Sequence, residues 1–261
     1  MGHLDALLLA VVQGLAEFLP VSSSGRLVLA QYFFSGSGEI DLLYNVVLHV
    51  ATGVALLTYF HQDLIALWTG CRHPSQTSKS VFSGYEKQTL CYIVLALIPT
   101  AMVGLFIDQV LISLLTRPEV VGCMLLITGA LLWWGRGRQP RHRPVPMRST
   151  DAVVIGLLQG LAVNPEISRS GVTITGGILV GLDREFAARF SLLISAPAIL
   201  GATILEGSKP EVHALHAFRP YVVCMIAAGL VGYAAIALTL HLVQQDRFCL
   251  FACICGRSAV C

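Results

Sequence analysis

The fold is decided by residues 13–26, which read QGLAEFLPVSSSGR. An apolar run is interrupted here by one proline, three serines and a glycine. Broken helices are tolerated at membrane depth only where the exposed backbone lines a protein cavity. The stretch therefore predicts a broken, re-entrant helix pair over about residues 3 to 34.

A second copy of this stretch lies 146 residues further on, where residues 159–171 read QGLAVNPEISRSG. Seven of the thirteen aligned positions are identical, which indicates an internal duplication. The proline is displaced by one position, Pro20 against Pro165. The copy predicts a second broken helix pair over about residues 151 to 182.

The composition indicates that the solvent around the chain is mainly lipid. Hydrophobic residues make up 55% of the chain and charged residues 12%, whereas soluble domains average roughly 25% charged residues. Mean hydropathy is +0.74. We expect one membrane domain over residues 1–261, with a weak sixth span from about residue 248. The five clearer spans are predicted at about 42–60, 90–108, 119–135, 186–206 and 220–243.

The basic residues predict how the chain crosses the membrane. The connecting loops 136–150 and 61–89 together hold eight of the seventeen Lys and Arg residues, and His61 falls in the second of these loops. Two crossings separate the loops, so both are expected on one side, the cytoplasm. Three crossings separate the two broken regions, which therefore enter from opposite sides.

The fold class expected from this topology is an all-α polytopic membrane protein with inverted repeats, each containing a broken re-entrant pair and transmembrane helices. Repeat 1 covers about residues 1–135 and repeat 2 about 150–261, joined by a basic linker, 136–149. Inverted pairs of this kind meet near the middle of the bilayer, with the N-termini of half-helices directed at an anionic group.

Gln13 and Glu17 are the first candidate site residues. Their i,i+4 spacing places them on one helix face, and a carboxylate in an apolar segment indicates function because burying it is unfavourable. The alternative is a structural Glu17 paired with a nearby arginine or helix end.

The two broken regions also predict a phosphate-binding site. Hydroxyl groups, backbone N–H groups and the positive end of a helix together can cradle a phosphate. Arg169 adds a planar donor fork that matches phosphate oxygens, although it could instead pair internally with Glu17 or Glu166. The candidate phosphate-binding residues are Ser22, Ser23, Ser24, Gly25, Arg26, Ser168, Ser170 and Gly171.

His49 is a candidate acid or base inside the first full span, where the alternative is a histidine that is merely hydrogen-bonded. Thr173 and Thr175 are weaker candidates, because threonines in membrane helices usually bond to carbonyls of their own helix. Trp133 and Trp134 lie where a span ends and are typical of an interfacial belt.

These motifs resemble the bacitracin-resistance family of undecaprenyl-diphosphate phosphatases. The family's first motif, a Glu/Gln-x-x-x-Glu pair running into Pro-Val-Ser-Ser-x-Gly-His, is matched from Gln13 through Gly25. Its second, Pro-Gly-x-Ser-Arg-Ser-Gly, is matched by PEISRSG at residues 165–171. Arg26 replaces the histidine of the first motif, which leaves His49 as its substitute. Glu166 replaces a glycine, and the Cys-rich tail FCLFACICGRSAVC is shorter than the family's final helix.

The resemblance implies hydrolysis of undecaprenyl diphosphate to undecaprenyl phosphate and phosphate, which recycles the lipid carrier for cell-wall synthesis and confers bacitracin resistance. It implies a divalent cation, Mg²⁺ or Ca²⁺, held by Glu17 and Gln13, which match the metal- or base-bearing pair. It assigns Ser23 as the nucleophile and Arg169 as the phosphate clamp. Whether Ser23 or a metal-bound water attacks stays open.

The resemblance also implies a location in the inner membrane, with the active site open to the extracytoplasmic side. The expected partners are a polyprenyl diphosphate and the bilayer, with no nucleic acid; the oligomeric state stays open and includes a homodimer. The main alternative function is a transporter or flippase of a phosphorylated lipid or another anion, because inverted repeats with broken helices also build transporters.

Overall fold

The computed structural model describes residues 3–20, 42–72, 80–107, 109, 118–135, 137–138, 147–162, 167–208 and 221–247. Within these ranges the chain is helical and contains no strand. In chain order the helices are α1 (His3–Phe18), α2 (Leu42–Tyr59), α3 (His61–Arg72), α4 (Glu86–Phe106), α5 (Pro118–Gly135), α6 (Ser149–Leu161), α7 (Arg169–Leu179), α8 (Arg184–Gly207) and α9 (Val222–Gln244).

The described helices make the chain an all-α, multi-pass membrane protein. Helices α4, α8 and α9 are long and apolar enough to cross a membrane, and α2 with α3 forms a fourth candidate, bent by 62°. Each of the five predicted spans coincides with a helix, namely α2, α4, α5, α8 and α9. The weak sixth span, from about residue 248, lies outside the described residues.

The prediction that residues 61–89 form a loop is wrong at its beginning, where α3 forms and His61 is its first residue. Leu67 is buried in the core, and the Asp63 carboxylate is buried as well. Arg189 Nη1 in α8 donates to Asp63 at 2.8 Å, and the Ser80 hydroxyl donates to it at 2.6 Å. The Asp63 side chain of α3 thus binds other parts of the chain, and these contacts cannot be recognised from the local sequence.

The second broken region is confirmed by the structure. Helix α6 ends at Leu161 and α7 begins at Arg169, with residues 163–166 outside the described part of the chain. In the first broken region α1 ends at Phe18, and residues 21–41 lie outside the described part. Proline supplies no N–H to a preceding carbonyl, so Pro20 accounts for the end of α1.

Two glycines at equivalent positions of the duplicated stretches allow close helix packing. A methyl group on Gly14 in α1 would lie 2.6 Å from the Ala228 carbonyl oxygen in α9. A methyl group on Gly160 in α6 would lie 2.7 Å from Cβ of Val103 in α4. The first helix of each predicted repeat therefore packs against a spanning helix of the other repeat. Helix α1 packs on α9, and α6 packs on α4.

The direction of the helices follows from which residues are neighbours. Helices α2 and α9 run parallel, because Tyr44 contacts Tyr221 near their starts and Tyr59 contacts Tyr233 further along. Helix α1 runs with them, since its last residue, Phe18, is bonded to the later part of α9.

Helices α4, α6 and α8 run the other way. Arg189, near the start of α8, lies 6.0 Å from the ring of Phe60 just after the end of α2. Phe82, just before α4, contacts Phe186 near the start of α8 at 5.1 Å, so α4 starts at the same end. A methyl group on Gly156 of α6 would meet Ala96 of α4, and a methyl group on Gly160, one turn later, would meet Val103 of α4. Helix α6 therefore runs parallel to α4. The first helices of the two broken regions, α1 and α6, thus run in opposite directions, as inverted repeats require.

Replacing Gly14 with alanine is expected to destabilise the protein by about 1–3 kcal/mol, because the new methyl group would collide with backbone atoms of α9. The measurement is the thermal unfolding midpoint in detergent. Gly201→Ala in α8 is the matched control, since nothing lies within 4 Å of its Cβ position. Equal midpoints for the two variants would contradict the close packing of α1 on α9.

Candidate functional site

Gln13 and Glu17 form a buried pair on one face of α1. Their residues are 3% and 8% exposed. The Gln13 side-chain amide donates a hydrogen bond from Nε2 to Glu17 Oε2 at 2.9 Å. The structure therefore confirms the spacing argument, and Gln13 holds one oxygen of the carboxylate.

Arg169, the first residue of α7, reaches the other oxygen of the same carboxylate. Its guanidinium Nη2 donates to Glu17 Oε1 in an ion pair between residues 152 positions apart. The internal pair considered as an alternative from the sequence is thus the arrangement present in the structure. The ion pair joins the end of α1, in the first broken region, to the start of α7, in the second broken region. The two broken regions therefore meet at this pair.

His49 in α2 is the third group at this carboxylate. Its Nε2 lies 3.9 Å from Glu17 Oε2, and its side chain is 25% exposed. The other ring nitrogen, Nδ1, lies 2.9 Å from the backbone carbonyl oxygen of Asn45. A carbonyl only accepts hydrogen bonds, so Nδ1 carries a hydrogen, and Nε2 is the ring nitrogen that faces the Glu17 carboxylate. His49 is therefore oriented to exchange a proton at Nε2.

The start of α7 is held by Ser168, its N-cap residue. The Ser168 hydroxyl oxygen accepts a hydrogen bond from the Gly171 N–H at 3.2 Å. Ser168 and Ser170 are both buried. A methyl group on Gly171 would lie 3.0 Å from Ser168 Oγ and 3.3 Å from Cβ of Pro20. The first broken region therefore passes directly beside the first turn of α7.

The weaker candidates Thr173 and Thr175 differ in their contacts. The Thr173 hydroxyl donates to the Arg169 carbonyl at 2.7 Å, as expected for a threonine in a membrane helix, and also contacts the Ser191 hydroxyl in α8. The buried Thr175 hydroxyl has no hydrogen-bond partner among the described residues. Ser191 was not predicted, because its role depends on how α8 packs against α7.

The remaining predicted site residues are not placed by the structure. They lie outside the described part of the chain and comprise Ser22, Ser23, Ser24, Gly25, Arg26 and Glu166. The described site therefore consists of Gln13, Glu17, His49, Arg169 and the first turn of α7. It combines one carboxylate, one guanidinium and one imidazole, which can bind an anion and transfer protons.

The described site does not form a metal centre by itself. No group of three or more His, Cys, Asp or Glu side chains that could hold a metal ion occurs among the described residues. The two Glu17 oxygens already accept bonds from Gln13 and Arg169. The described residues alone therefore do not supply a complete set of ligands for a divalent cation.

Comparisons with known proteins point to one family. The model of the family described as bacitracin resistance protein BacA matches residues 6–260. The undecaprenyl-diphosphatase of Desulfosudis oleivorans is 41% identical, over 98% of this chain and 95% of that protein. That of Carboxydothermus hydrogenoformans is 38% identical, over 97% and 93%, and that of Moorella thermoacetica is 33% identical, over 96% and 93%.

Proposed function

The chain belongs to the bacitracin resistance protein BacA family, and on that premise we propose that it hydrolyses undecaprenyl diphosphate to undecaprenyl phosphate and phosphate. This reaction would recycle the lipid carrier for cell-wall synthesis and confer resistance to bacitracin. The observation that carries the proposal is the meeting of Glu17, Arg169 and His49 where the two broken regions converge. The relatives' shared name favours the hydrolase over the transporter.

Arg169 binds the terminal phosphate in this proposal. In the structure its guanidinium is paired with Glu17. A diphosphate carries more negative charge than one carboxylate and offers oxygens that match the guanidinium fork. Substrate binding therefore moves Arg169 from the carboxylate to the phosphate and frees Glu17. Phosphoryl transfer depends mainly on such positioning and charge neutralisation.

Glu17 and His49 handle the protons. Once Arg169 has turned to the phosphate, Glu17 is a free carboxylate that can accept the proton of the attacking hydroxyl or water. The attack on the terminal phosphorus breaks its bond to the bridging oxygen, which leaves as undecaprenyl phosphate. If the attacking group is water, phosphate is formed in this step. If it is a serine hydroxyl, the phosphoryl group is first carried on the serine oxygen, and a water that gives its proton to Glu17 then displaces the serine oxygen and releases phosphate. His49, protonated at Nε2, can donate a proton to the departing oxygen. Arg26 stands where the family's motif has a histidine, and the position of His49 beside Glu17 supports its role as the substitute.

Ser23 is the proposed nucleophile, with Ser22, Ser24, Gly25 and Arg26 around the phosphate. Pro20 lies beside the first turn of α7, since a methyl group on Gly171 would be 3.3 Å from its Cβ. Ser23 follows Pro20 by three residues, and three residues span at most about 11 Å. Chain length therefore allows Ser23 to reach the phosphate that Arg169 would bind. Attack by water instead of Ser23 stays open.

A divalent cation, Mg²⁺ or Ca²⁺, is proposed on the resemblance alone, with Glu17 and the Gln13 amide oxygen as its protein ligands. Magnesium is usually bound by one or two carboxylates together with phosphate oxygens of the substrate, so a cation would have to arrive with the diphosphate. The proton transfers assigned to Glu17 and His49 do not require it.

We further propose a location in the inner membrane, with the site open to the extracytoplasmic side. The described parts of the two basic segments, 136–150 and 61–89, lie at one end of the helix bundle, which supports a common cytoplasmic location. Both segments contact the start of α8. Arg184 donates to the carbonyl of Arg138, in segment 136–150, at 3.2 Å, and Phe186 contacts Phe82, in segment 61–89. Basic segments on one side of the membrane are typical of the cytoplasmic side. A reporter fused after residue 140 tests the orientation.

The proposal is tested by phosphate release from undecaprenyl diphosphate, using protein purified in detergent with and without Mg²⁺ or Ca²⁺. Release by the wild-type chain is expected, and its loss in Ser23→Ala is the result expected if the serine is the nucleophile. Release that persists in Ser23→Ala would identify water. No release from folded protein, together with flux of the lipid across sealed vesicles, would favour the transporter instead.

A further inference from the structure

Thr239 in α9 makes a hydrogen bond that reaches the candidate site from a distant part of the chain. Its side chain is fully buried. Its hydroxyl donates to the backbone carbonyl oxygen of Phe18 at 3.2 Å, across 221 positions of sequence. Phe18 is the last residue of α1 and directly follows Glu17. The bond therefore acts on the backbone that carries the site's carboxylate.

The carbonyl of Phe18 needs a donor from outside its own helix. In an α-helix that donor would be the N–H four residues later, but α1 ends at Phe18. The surroundings are apolar and tightly packed, because the Phe18 ring is buried and lies 3.2 Å from where a methyl group on Gly232 would be. A buried carbonyl without a hydrogen-bond partner is unfavourable. By donating to the Phe18 carbonyl, the Thr239 hydroxyl therefore stabilises the C-terminal end of α1.

We infer that Thr239 is a positioning residue for Glu17, an inference that rests on the proposed function. By holding the Phe18 carbonyl, the hydroxyl fixes the direction of the last turn of α1 relative to α9. That direction sets where the Glu17 carboxylate lies with respect to Arg169 in α7 and His49 in α2. Thr239 acts through the backbone and is not itself a catalytic residue.

The other half of the molecule supplies a matched comparison. Thr100 in α4 donates to the backbone carbonyl of Gly156 in α6 at 2.9 Å, so it also ties the first half-helix of a broken region to a spanning helix. The position equivalent to Glu17 in this second copy is Val163, which carries no charge. The Thr100 bond therefore ties two helices together as the Thr239 bond does, but its half-helix carries no carboxylate at the position equivalent to Glu17.

The experiment compares Thr239→Val, Thr239→Ser and Thr100→Val with the wild type in detergent, measuring kcat and KM for phosphate release and the unfolding midpoint. We expect Thr239→Val to lower kcat about 10-fold to 100-fold with KM within about twofold, because a misplaced catalytic group slows the reaction more than it weakens binding. Thr239→Ser restores kcat, since it keeps the hydroxyl. Thr100→Val lowers the midpoint and leaves kcat within about twofold.

Three outcomes would overturn the inference: an unchanged kcat in Thr239→Val, an equal loss of kcat in Thr100→Val, or no recovery in Thr239→Ser. If Thr239→Val does not fold, Thr239→Ala provides a second variant without the hydroxyl. Phosphate release by the wild type distinguishes a failure of the proposed function from a failure of the role inferred for Thr239. Absence of release from the wild type overturns the proposed function and this inference together, whereas normal wild-type release with unchanged Thr239→Val overturns only the role of Thr239.

Discussion

Replacing Arg169 with alanine is expected to lower kcat/KM for phosphate release by about 10³-fold, the range seen when an arginine that stabilises a transferring phosphoryl group is lost. The side chain places a cation at the meeting point of the two broken regions, and alanine removes both its charge and its two-pronged geometry. Arg169→Lys keeps the charge without the fork and is expected to recover only part of the activity. Steady-state phosphate release by the purified variants measures both effects.

Folding has to be monitored in the same preparations. Arg169→Ala leaves the buried Glu17 carboxylate without its cation, which costs about 3–5 kcal/mol when a buried pair is broken. Arg184→Ala is the matched control, because Arg184 also pairs with a carboxylate, Asp246, but does so at the end of the bundle. We expect Arg184→Ala to keep near wild-type activity. An Arg169→Ala protein that folds and retains more than about a tenth of wild-type activity would refute the phosphate role.

Glu17→Gln is expected to lower kcat by about 10²-fold to 10³-fold, within the range for loss of a general acid or base. The substitution keeps the size of the side chain and removes its charge. It also frees Arg169 from its ion pair, so KM is expected to stay equal or to fall. The measurement is the separation of kcat from KM for phosphate release.

Glu185→Gln provides the control for Glu17, since Glu185 accepts a bond from Arg189 at 3.0 Å and lies away from the site. Its kcat is expected to match the wild type. A Glu17→Gln variant with unchanged kcat and a raised KM would show that the carboxylate contributes to binding only. That result would contradict its assignment as a proton acceptor.

The sequence predicted the parts of the site that follow from local patterns. The i,i+4 spacing placed Gln13 and Glu17 on one face, and charge at membrane depth identified Glu17 and Arg169 as functional candidates. His49 was identified as a polar group within an apolar span. The duplication predicted that the two broken regions belong together, and the Arg169–Glu17 pair shows that they meet.

The contacts between distant helices could not be predicted in this way. The Thr239 bond to Phe18 and the Ser191 contact with Thr173 depend on the rotation and depth of one helix against another. No local pattern in the sequence encodes these quantities. Helix α3 was missed for a related reason, since its buried Asp63 is bonded by Arg189, 126 residues away, and by Ser80 outside the helix. The Glu17–Arg169 pair also shows that the internal partner considered as the alternative for Arg169 is present beside the role proposed for it.

The central claim is that the two broken regions build one active site around the Glu17–Arg169 pair, and a double-mutant cycle tests it most directly. Phosphate release is measured for the wild type, Glu17→Gln, Arg169→Gln and the double variant. Residues that act as a unit lose activity non-additively, so the double variant is predicted to be about as slow as the slower single variant. A double variant slowed by the product of the two single effects would contradict a shared site.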